Sequence, residues 1–225
     1  MRKIGHRGAA GYELENTTKS IRKALELRVD MIELDVRQCA TGELVIFHDS
    51  TLERVTGVKG AIKKMSFEHL HKIHTIDGQK ILTLTEALHI IDGKCWVNLH
   101  LKSPDAVHEL INIIRHCVAS KKWELKQFLI SSFRPKDLIQ LKKLEPKLKT
   151  GLLYYRPIRD ILKKAQKLSV YSVHLKRKHL KKRIIDSLHH HGIKSFAWTV
   201  NNAFDVKHAH QLGVDGIISD FPDIV

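Results

Sequence analysis

The residues best suited to chemistry lie at the ends of short apolar segments in the first half of this 225-residue chain. If those segments are parallel strands of one barrel, their carboxyl ends meet at one face, where the functional groups of such folds collect. We therefore expect these side chains to share a site. The four stretches are His6-Arg7-Gly8, Glu33-Leu34-Asp35, His48-Asp49 and Asn98-Leu99-His100-Leu101-Lys102.

Two of these stretches show the alternation of a strand with one polar face. Glu33 and Asp35 are two residues apart, so both side chains point to the same face. The same spacing places Asn98, His100 and Lys102 together on a face of another strand. Two carboxylates held close on rigid strands either share a proton or bind a hard cation such as Mg²⁺, Ca²⁺ or Mn²⁺.

The two other stretches supply histidines. The ordinary pKa of imidazole lies near neutrality, so one of His6 and His48 could accept a proton while the other donates one. Arg7 and Lys102 are fixed positive charges beside them in the sequence pattern. This set of groups indicates a site that cleaves an anion by acid–base chemistry: a bound cation, two imidazoles and two positively charged side chains. Phosphate esters are the leading candidate for the anion.

Taken one at a time, the same residues have plainer explanations. Most of the 16 histidines are expected to be structural, and Glu33 and Asp35 could each cap a helix or form a salt bridge. The coincidence of four strand ends carrying such groups favours a functional site.

The pattern between these residues is that of repeated βα units, because short apolar runs alternate with longer amphipathic segments. Convincing helices are predicted at 17–27, with Asn16 as the N-cap, and at 105–119 and 136–144. We predict an α/β fold, a TIM (β/α)8 barrel, as a single domain over residues 1–225. Nine candidate strands are one more than a barrel of eight needs. Because residues 35–44 are too few for a crossover helix, we expect residues 41–43 to form the turn of a hairpin. The candidate strands lie near 3–6, 30–36, 44–48, 95–102, 127–132, 149–154, 169–174, 194–200 and 216–219.

Charge is unevenly distributed along the chain. The formal net charge is +15, of which residues 1–112 contribute +1 and residues 113–225 contribute +14. The densest basic run spans 176–183, and such runs usually form solvated helix faces. Attraction of an anionic substrate or of an anionic lipid surface by this basic C-terminal half is the alternative. Aromatic residues do not alternate with the cations, so we expect no specific nucleic-acid partner.

Composition excludes several classes of protein. With 43% hydrophobic and 28% charged residues, the chain is neither disordered nor fibrous. Its apolar runs are far shorter than the ~20 residues of a membrane span. Its start lacks the apolar core of a secretory signal, and its three cysteines form no C-x-x-C pair. We expect a cytoplasmic protein with reduced thiols.

Eight segments of the chain carry recognisable motifs: 4–8, 15–17, 32–36, 42–49, 52–56, 84–88, 198–201 and 213–222. In this order and spacing they resemble the glycerophosphodiester phosphodiesterase family. The resemblance implies a TIM barrel in which His6 and His48 act as general acid and base and Glu33 and Asp35 bind a divalent cation. It further implies that Arg7 and Lys102 hold the phosphate, that Trp198 lines the pocket beside the alcohol, and that a small anionic phosphodiester is hydrolysed to glycerol 3-phosphate.

The sequence departs from this family at one expected metal ligand. Where Asn-Ile-Glu-Ile-Lys is usual, this chain reads Asn98-Leu99-His100-Leu101-Lys102. We expect His100 to be the third ligand, and a neutral nitrogen donor favours Mn²⁺, Co²⁺ or Zn²⁺ over Mg²⁺ or Ca²⁺. Two alternatives stay open: a lysophospholipase D that acts on acylated substrates, and a catalytically silent barrel that binds phosphorylated ligands.

Overall fold

A computed structural model describes residues 1–155 and 160–225 of the chain, and in these residues parallel strands close into a barrel. Eight strands form the barrel, and a ninth lies outside it. This confirms the predicted fold. The strands are β1 (Arg2–Gly5), β2 (Met31–Gln38), β3 (Leu44–Ile46), β4 (Trp96–Leu101), β5 (Phe128–Ser132), β6 (Lys149–Tyr154), β7 (Ser172–Lys176), β8 (Lys194–Trp198) and β9 (Gly216–Ser219).

The barrel closes through β1, which pairs in parallel with both β2 and β9. Ile4 is in register with Met31 on one side and with Ile218 on the other. From β9 the order runs through β8, β7, β6, β5 and β4 back to β2. The surplus strand β3 pairs antiparallel with the end of β2, where Val36 faces Ile46, so the expected hairpin is confirmed. β3 runs opposite to the barrel strands, so the chain turns back along β2. This reversal sets the position of His48, which lies two residues after β3.

Helices cover the outside of the barrel. The helix after β1 begins one residue later than predicted, because its N-cap is Thr17, whose hydroxyl accepts from the Ser20 N–H. The prediction of Asn16 as the cap was therefore wrong. A 3₁₀ turn at Pro104–Ala106 replaces the first residues predicted for the helix at 105–119. The helices are α1 (Thr18–Glu26), α2 (Glu53–Thr56), α3 (Phe67–His71), α4 (Leu84–Ile91), α5 (Val107–Ala119), α6 (Pro135–Leu144), α7 (Ile161–Lys167), α8 (Lys182–His190) and α9 (Ala203–Leu212).

Among the residues described, every helix is too short or too polar to cross a lipid bilayer. All three cysteines are free thiols.

Side chains alternate between two faces of the barrel wall. Ile32 and Leu34 point outward into the main core, which packs the barrel against the helices. Met31 points inward to an apolar plug with Ile4, Phe196 and other side chains at the amino ends of the strands. The inward positions nearer the carboxyl ends, such as Glu33 and Asp35, are polar. The apolar plug therefore closes one end of the barrel and leaves a polar chamber at the other.

The connection between β2 and β4 has a small core of its own. It buries nine apolar residues that lie between 39 and 81, among them Phe47 and Leu52. This core packs beside the barrel and supports the hairpin that carries His48.

Candidate active site

One cavity of about 200 Å³ lies at the carboxyl ends of the strands. Its wall contains every residue that the sequence predicted for the site. Ser131 and Phe133 of the β5 end and the apolar Leu153 and Ile218 complete much of the lining. The predicted residues in the wall are His6, Arg7, Glu33, Asp35, His48, His100, Lys102 and Trp198.

Glu33, Asp35 and His100 form the floor of the cavity. One donor atom from each lies within 4.8 Å of the others, and all three residues are buried. The His100 Nδ1 atom is 3.1 Å from Asp35 Oδ1 and 3.7 Å from Glu33 Oε1. The chain thus places its two predicted carboxylates and the substituted histidine close enough together to hold one ion.

Cations also contact this floor, chiefly at Asp35. Arg7 Nε lies 3.2 Å from Asp35 Oδ2 and Lys102 Nζ lies 3.1 Å from Asp35 Oδ1. Burial would raise the pKa of Asp35, but the hydrogen bond with His100 and the charges of Lys102 and Arg7 outweigh it and hold that pKa well below its usual value. Asp35 is therefore ionised.

Glu33 stays available to an ion. In the described part of the chain no lysine or arginine side chain pairs with it, and the Arg7 backbone N–H donates to Glu33 Oε2 at 3.0 Å. Two carboxyl groups and an imidazole nitrogen are a donor set that divalent cations accept in proteins. The residues present therefore fit a divalent cation.

His6 is oriented by a carboxylate from the neighbouring strand end. Its Nδ1–H donates to Asp220 Oδ1 at 2.6 Å, which leaves Nε2 facing the floor, 4.0 Å from Glu33 Oε2. Burial lowers the pKa of His6, but the Asp220 hydrogen bond and the Glu33 charge outweigh it, so the pKa is raised. The protonated form is favoured.

His48 is held differently. Its Nδ1–H donates to Asp49 Oδ1 at 2.6 Å, and Asp49 in turn accepts from Arg54 Nε at 2.6 Å. Arg37 anchors the His48 carbonyl oxygen through two hydrogen bonds of 2.9 and 2.7 Å. Partial burial lowers the pKa of His48, and the nearby Arg7 charge lowers it further, so the neutral form is favoured. The two imidazoles are thus shifted in opposite directions.

The turn after β1 places Arg7 beside the floor. Gly8 has φ +87°, and a Cβ there would lie 2.5 Å from Ser20 of α1, so the turn packs tightly on that helix. Arg7 Nη1 pairs with Glu15 at 2.9 Å, and Glu15 also binds Arg54. This chain of ion pairs connects Arg7, next to the floor, with the arginine that supports Asp49.

Aromatic rings form the opposite wall of the cavity. Phe133 contacts His100 edge-on at 5.4 Å between ring centroids, Trp198 at 5.8 Å and Tyr155 at 5.5 Å. The Trp198 indole N–H donates to the His174 carbonyl at 3.1 Å, which fixes the ring. The wall leads from the floor to Tyr155, which is 52% exposed at the mouth.

Sequence reasoning missed three residues of this site. Asn16 clasps Asp35 twice, donating to Oδ2 at 3.1 Å and accepting from the Asp35 backbone N–H at 3.2 Å. Asp220 holds His6 and Phe133 supplies the wall. Both lie directly after strands, so the rule that found the other strand ends would have found Asp220, whereas Phe133 is apolar and gave no such signal. Asn16 gave no such signal, because an asparagine before a helix is typical of a cap.

Comparison with known proteins agrees with this geometry. The model of the glycerophosphoryl diester phosphodiesterase family matches residues 6–224. The chain belongs to this family. A glycerophosphodiester phosphodiesterase of Caldanaerobacter subterraneus subsp. tengcongensis is 33% identical over 98% of this chain and 94% of its own.

Two further relatives indicate what members of the family act on. A phosphodiesterase of Oleispira antarctica, solved with the product sn-glycerol-3-phosphate, superposes with a TM-score of 0.91 at 25% identity and covers 99% of this chain and 94% of its own. A mouse lysophospholipase D is 26% identical over 98% of this chain and 83% of its own.

Proposed function

We propose that this protein hydrolyses small glycerophosphodiesters to glycerol 3-phosphate and a free alcohol. The observation that carries the proposal is the pair of imidazoles in one cavity, each held by its own carboxylate, above Glu33, Asp35 and His100. Family membership and the relative solved with sn-glycerol-3-phosphate support it. We also retain two expectations from the sequence: residues 1–225 act as a single domain, and the protein works in the cytoplasm.

The opposite directions of the two pKa shifts support one assignment of the general base and the general acid. His48, neutral, takes a proton from the attacking water molecule as the water oxygen bonds to phosphorus. His6, protonated, gives its proton to the oxygen of the departing alcohol as the P–O bond breaks. One proton is taken up and one is released, so the two imidazoles exchange charge over the cycle. Solvent then returns each to its starting state.

Arg7 and Lys102 are proposed to bind the phosphate. Both cations lie at the edge of the floor and their charges are already directed towards Asp35. Donors fixed before the substrate arrives stabilise the extra negative charge of the transition state without reorganising. Trp198 is proposed to line the part of the pocket that takes the alcohol.

Glu33, Asp35 and His100 are proposed to hold a divalent cation, which would neutralise phosphate charge when bound. Family membership and the fit of the three residues support a metal. The donors favour one group of ions over another. Mg²⁺ and Ca²⁺ prefer oxygen ligands, whereas the imidazole of His100 suits Mn²⁺, Co²⁺ or Zn²⁺.

The test is release of glycerol 3-phosphate from glycerophosphocholine and glycerophosphoethanolamine by the purified protein. Each divalent ion is added in turn, with and without chelator. We expect chelator-sensitive release, strongest with Mn²⁺, Co²⁺ or Zn²⁺. No release with any ion would refute the proposal. If the protein still bound sn-glycerol-3-phosphate, that result would favour the silent barrel.

A second candidate substrate is a lysophospholipid. The aromatic wall of Phe133 and Trp198 offers apolar surface that a glycerophosphodiester with a small polar alcohol does not need. The mouse relative named a lysophospholipase D supports this candidate. Release of choline from lysophosphatidylcholine, compared with release from glycerophosphocholine, separates the two substrates.

A further inference from the structure

A dense group of cations lies at the mouth of the cavity. β7 ends at Lys176, which is in register with Trp198 of the cavity wall. The chain then passes through a 3₁₀ turn (Arg177–His179) into α8. Residues 176–183, here called the basic rim, contain six lysines and arginines and no carboxylate. The rim therefore begins at the active-site wall and extends outward from it.

Most of this charge forms no ion pair with the part of the chain that the structure describes. Arg177 pairs with Asp205 at 3.0 Å and Lys182 pairs with Asp186 at 2.5 Å. Within residues 1–155 and 160–225 the other four cations of the rim form no ion pair. Lys178, Lys181 and Arg183 are exposed to solvent. Several uncompensated charges thus point away from the barrel.

An exposed phenylalanine lies beside the rim. Phe204 is 80% exposed, the largest fraction among the exposed large hydrophobic side chains of the described residues. It lies in the first turn of α9, and a helix that follows a barrel strand begins at the mouth. The Arg177–Asp205 ion pair joins that turn to the rim. Cations and a prominent apolar ring therefore share one face.

The same face opens towards the aromatic side of the cavity. The imidazoles and carboxylates come from β1, β2, β4 and the β3 hairpin, whereas the basic rim and Phe204 follow β7 and β8. Between them lies the wall of Phe133 and Trp198. A substrate with its phosphate on the floor would extend along that wall towards the rim.

We propose that this mouth face docks onto the surface of an anionic phospholipid bilayer, with the basic rim on the headgroups and Phe204 inserted at the interface. Clustered lysine and arginine attract anionic headgroups, and an exposed aromatic ring adds apolar burial. A lone ring beside the cations favours a bilayer over single-stranded nucleic acid, which binds across a series of stacked rings. The proposal rests on the proposed function only in that docking would bring the cavity to lysophospholipids.

The experiment measures binding of the full-length protein to vesicles of phosphatidylcholine, with and without phosphatidylglycerol, at two salt concentrations. We expect binding only to the anionic vesicles and weaker binding at high salt. The double variant Lys178→Glu with Lys181→Glu should weaken binding at least tenfold. Phe204→Ser should weaken it several-fold.

A matched control carries the same change of charge at the other end of the barrel. Lys143 and Lys147 are exposed and form no ion pair among the described residues; Lys143 lies in the last turn of α6 and Lys147 in the loop before β6. Lys143→Glu with Lys147→Glu should bind vesicles almost as the parent does. Equal loss in both double variants would overturn the proposal, because net charge alone would then explain binding.

Two further results would also overturn it: equal binding to both kinds of vesicle, or tighter binding to a single-stranded oligonucleotide than to anionic vesicles. Hydrolysis of glycerophosphocholine without vesicles keeps the two proposals apart. Both double variants should retain that activity. Vesicle binding by a protein without hydrolysis would refute the function alone, and hydrolysis without vesicle binding would refute the docking alone.

Discussion

His6 Nδ1 and Asp220 Oδ1 are 2.6 Å apart, although 214 residues separate them in the chain. They meet because β1 and β9 pair side by side where the barrel closes. Asn201 fixes the carboxylate by donating to Asp220 Oδ2 at 2.5 Å and accepting from the Asp220 backbone N–H at 2.9 Å. Closure of the barrel thus sets the direction of the His6 ring.

Asp220→Asn should lower kcat about 10²-fold with little change in KM, because a neutral amide accepts the Nδ1–H more weakly than a carboxylate and stabilises the imidazolium less. Steady-state kinetics on glycerophosphocholine measures both constants. Asp223→Asn is the matched control, since Asp223 binds the Tyr12 hydroxyl rather than a histidine. An unchanged kcat in Asp220→Asn would remove the positioning role.

The assignment of acid and base predicts a dependence on the leaving group. His6→Ala should lose much less activity on a glycerophosphodiester of p-nitrophenol than on glycerophosphocholine, because nitrophenolate departs without a proton. His48→Ala should lose activity on both to a similar extent. The ratio of kcat/KM on the two substrates measures this for each variant. If His48→Ala is the variant rescued by nitrophenol, the two roles are reversed.

The pH profile of kcat/KM should be broad and should span pH 6.5. His48 must be neutral, and its lowered pKa moves the acid limb below that value. His6 must be protonated, and its raised pKa moves the alkaline limb above that value. Asp220→Asn removes the carboxylate whose hydrogen bond raises the pKa of His6. The alkaline limb of the profile should therefore shift to lower pH. An alkaline limb that does not move in this variant would contradict the assignment.

His100→Glu should reverse the metal preference. A third carboxylate replaces the nitrogen donor and adds negative charge, so affinity for Mg²⁺ and Ca²⁺ should rise at least tenfold. Calorimetric titration of the protein with each ion reports this without any assay of activity, and the rise of melting temperature with metal gives a second reading. Metal preference that is unchanged would mean that His100 is not a ligand.

Asn16→Ala should destabilise the fold by about 1–3 kcal/mol, because the buried Asp35 N–H and carboxylate both lose a partner. Metal affinity should fall as well, since Asp35 is no longer held in place. Urea unfolding and metal titration test the two effects. Thr17→Ala is a useful comparison: it removes the N-cap of the same helix but leaves Asp35 clasped. Equal metal affinity in both variants would exclude the positioning role of Asn16.

The sequence predicted most of the site because strand alternation is a local property. Glu33 and Asp35 share a face whatever the rest of the chain does, and so do His100 and Lys102. Contacts between the first and last strands, where the barrel closes, were harder to predict from the sequence. Asp220 reaches His6 only because the last strand lies beside the first, which spacing along the chain does not show.

Two further differences have local physical reasons. The sequence indicated a helix cap at Asn16, but its left-handed φ of +59° turns its side chain to Asp35 and leaves capping to Thr17. His48 was predicted at the end of a strand, and the cavity location is as predicted. It reaches the cavity from the antiparallel hairpin that the sequence also predicted, whereas the prediction of the site treated its strand as one of the parallel strands of the barrel.

Because of that hairpin, the two imidazoles are supported by different parts of the fold. His6 directly follows β1, a strand of the closed barrel. Displacing it would therefore disturb the pairing of β1 with β2 and β9. His48 follows β3, which pairs with the end of β2, packs Leu44 and Ile46 into the main core and places Val45 in the small core of this connection. Transient separation of the β3 hairpin from β2 would move His48 out of the cavity and stop catalysis while the barrel stayed intact. Amides of residues 44–48 should therefore exchange with deuterium sooner than those of β1 or β9.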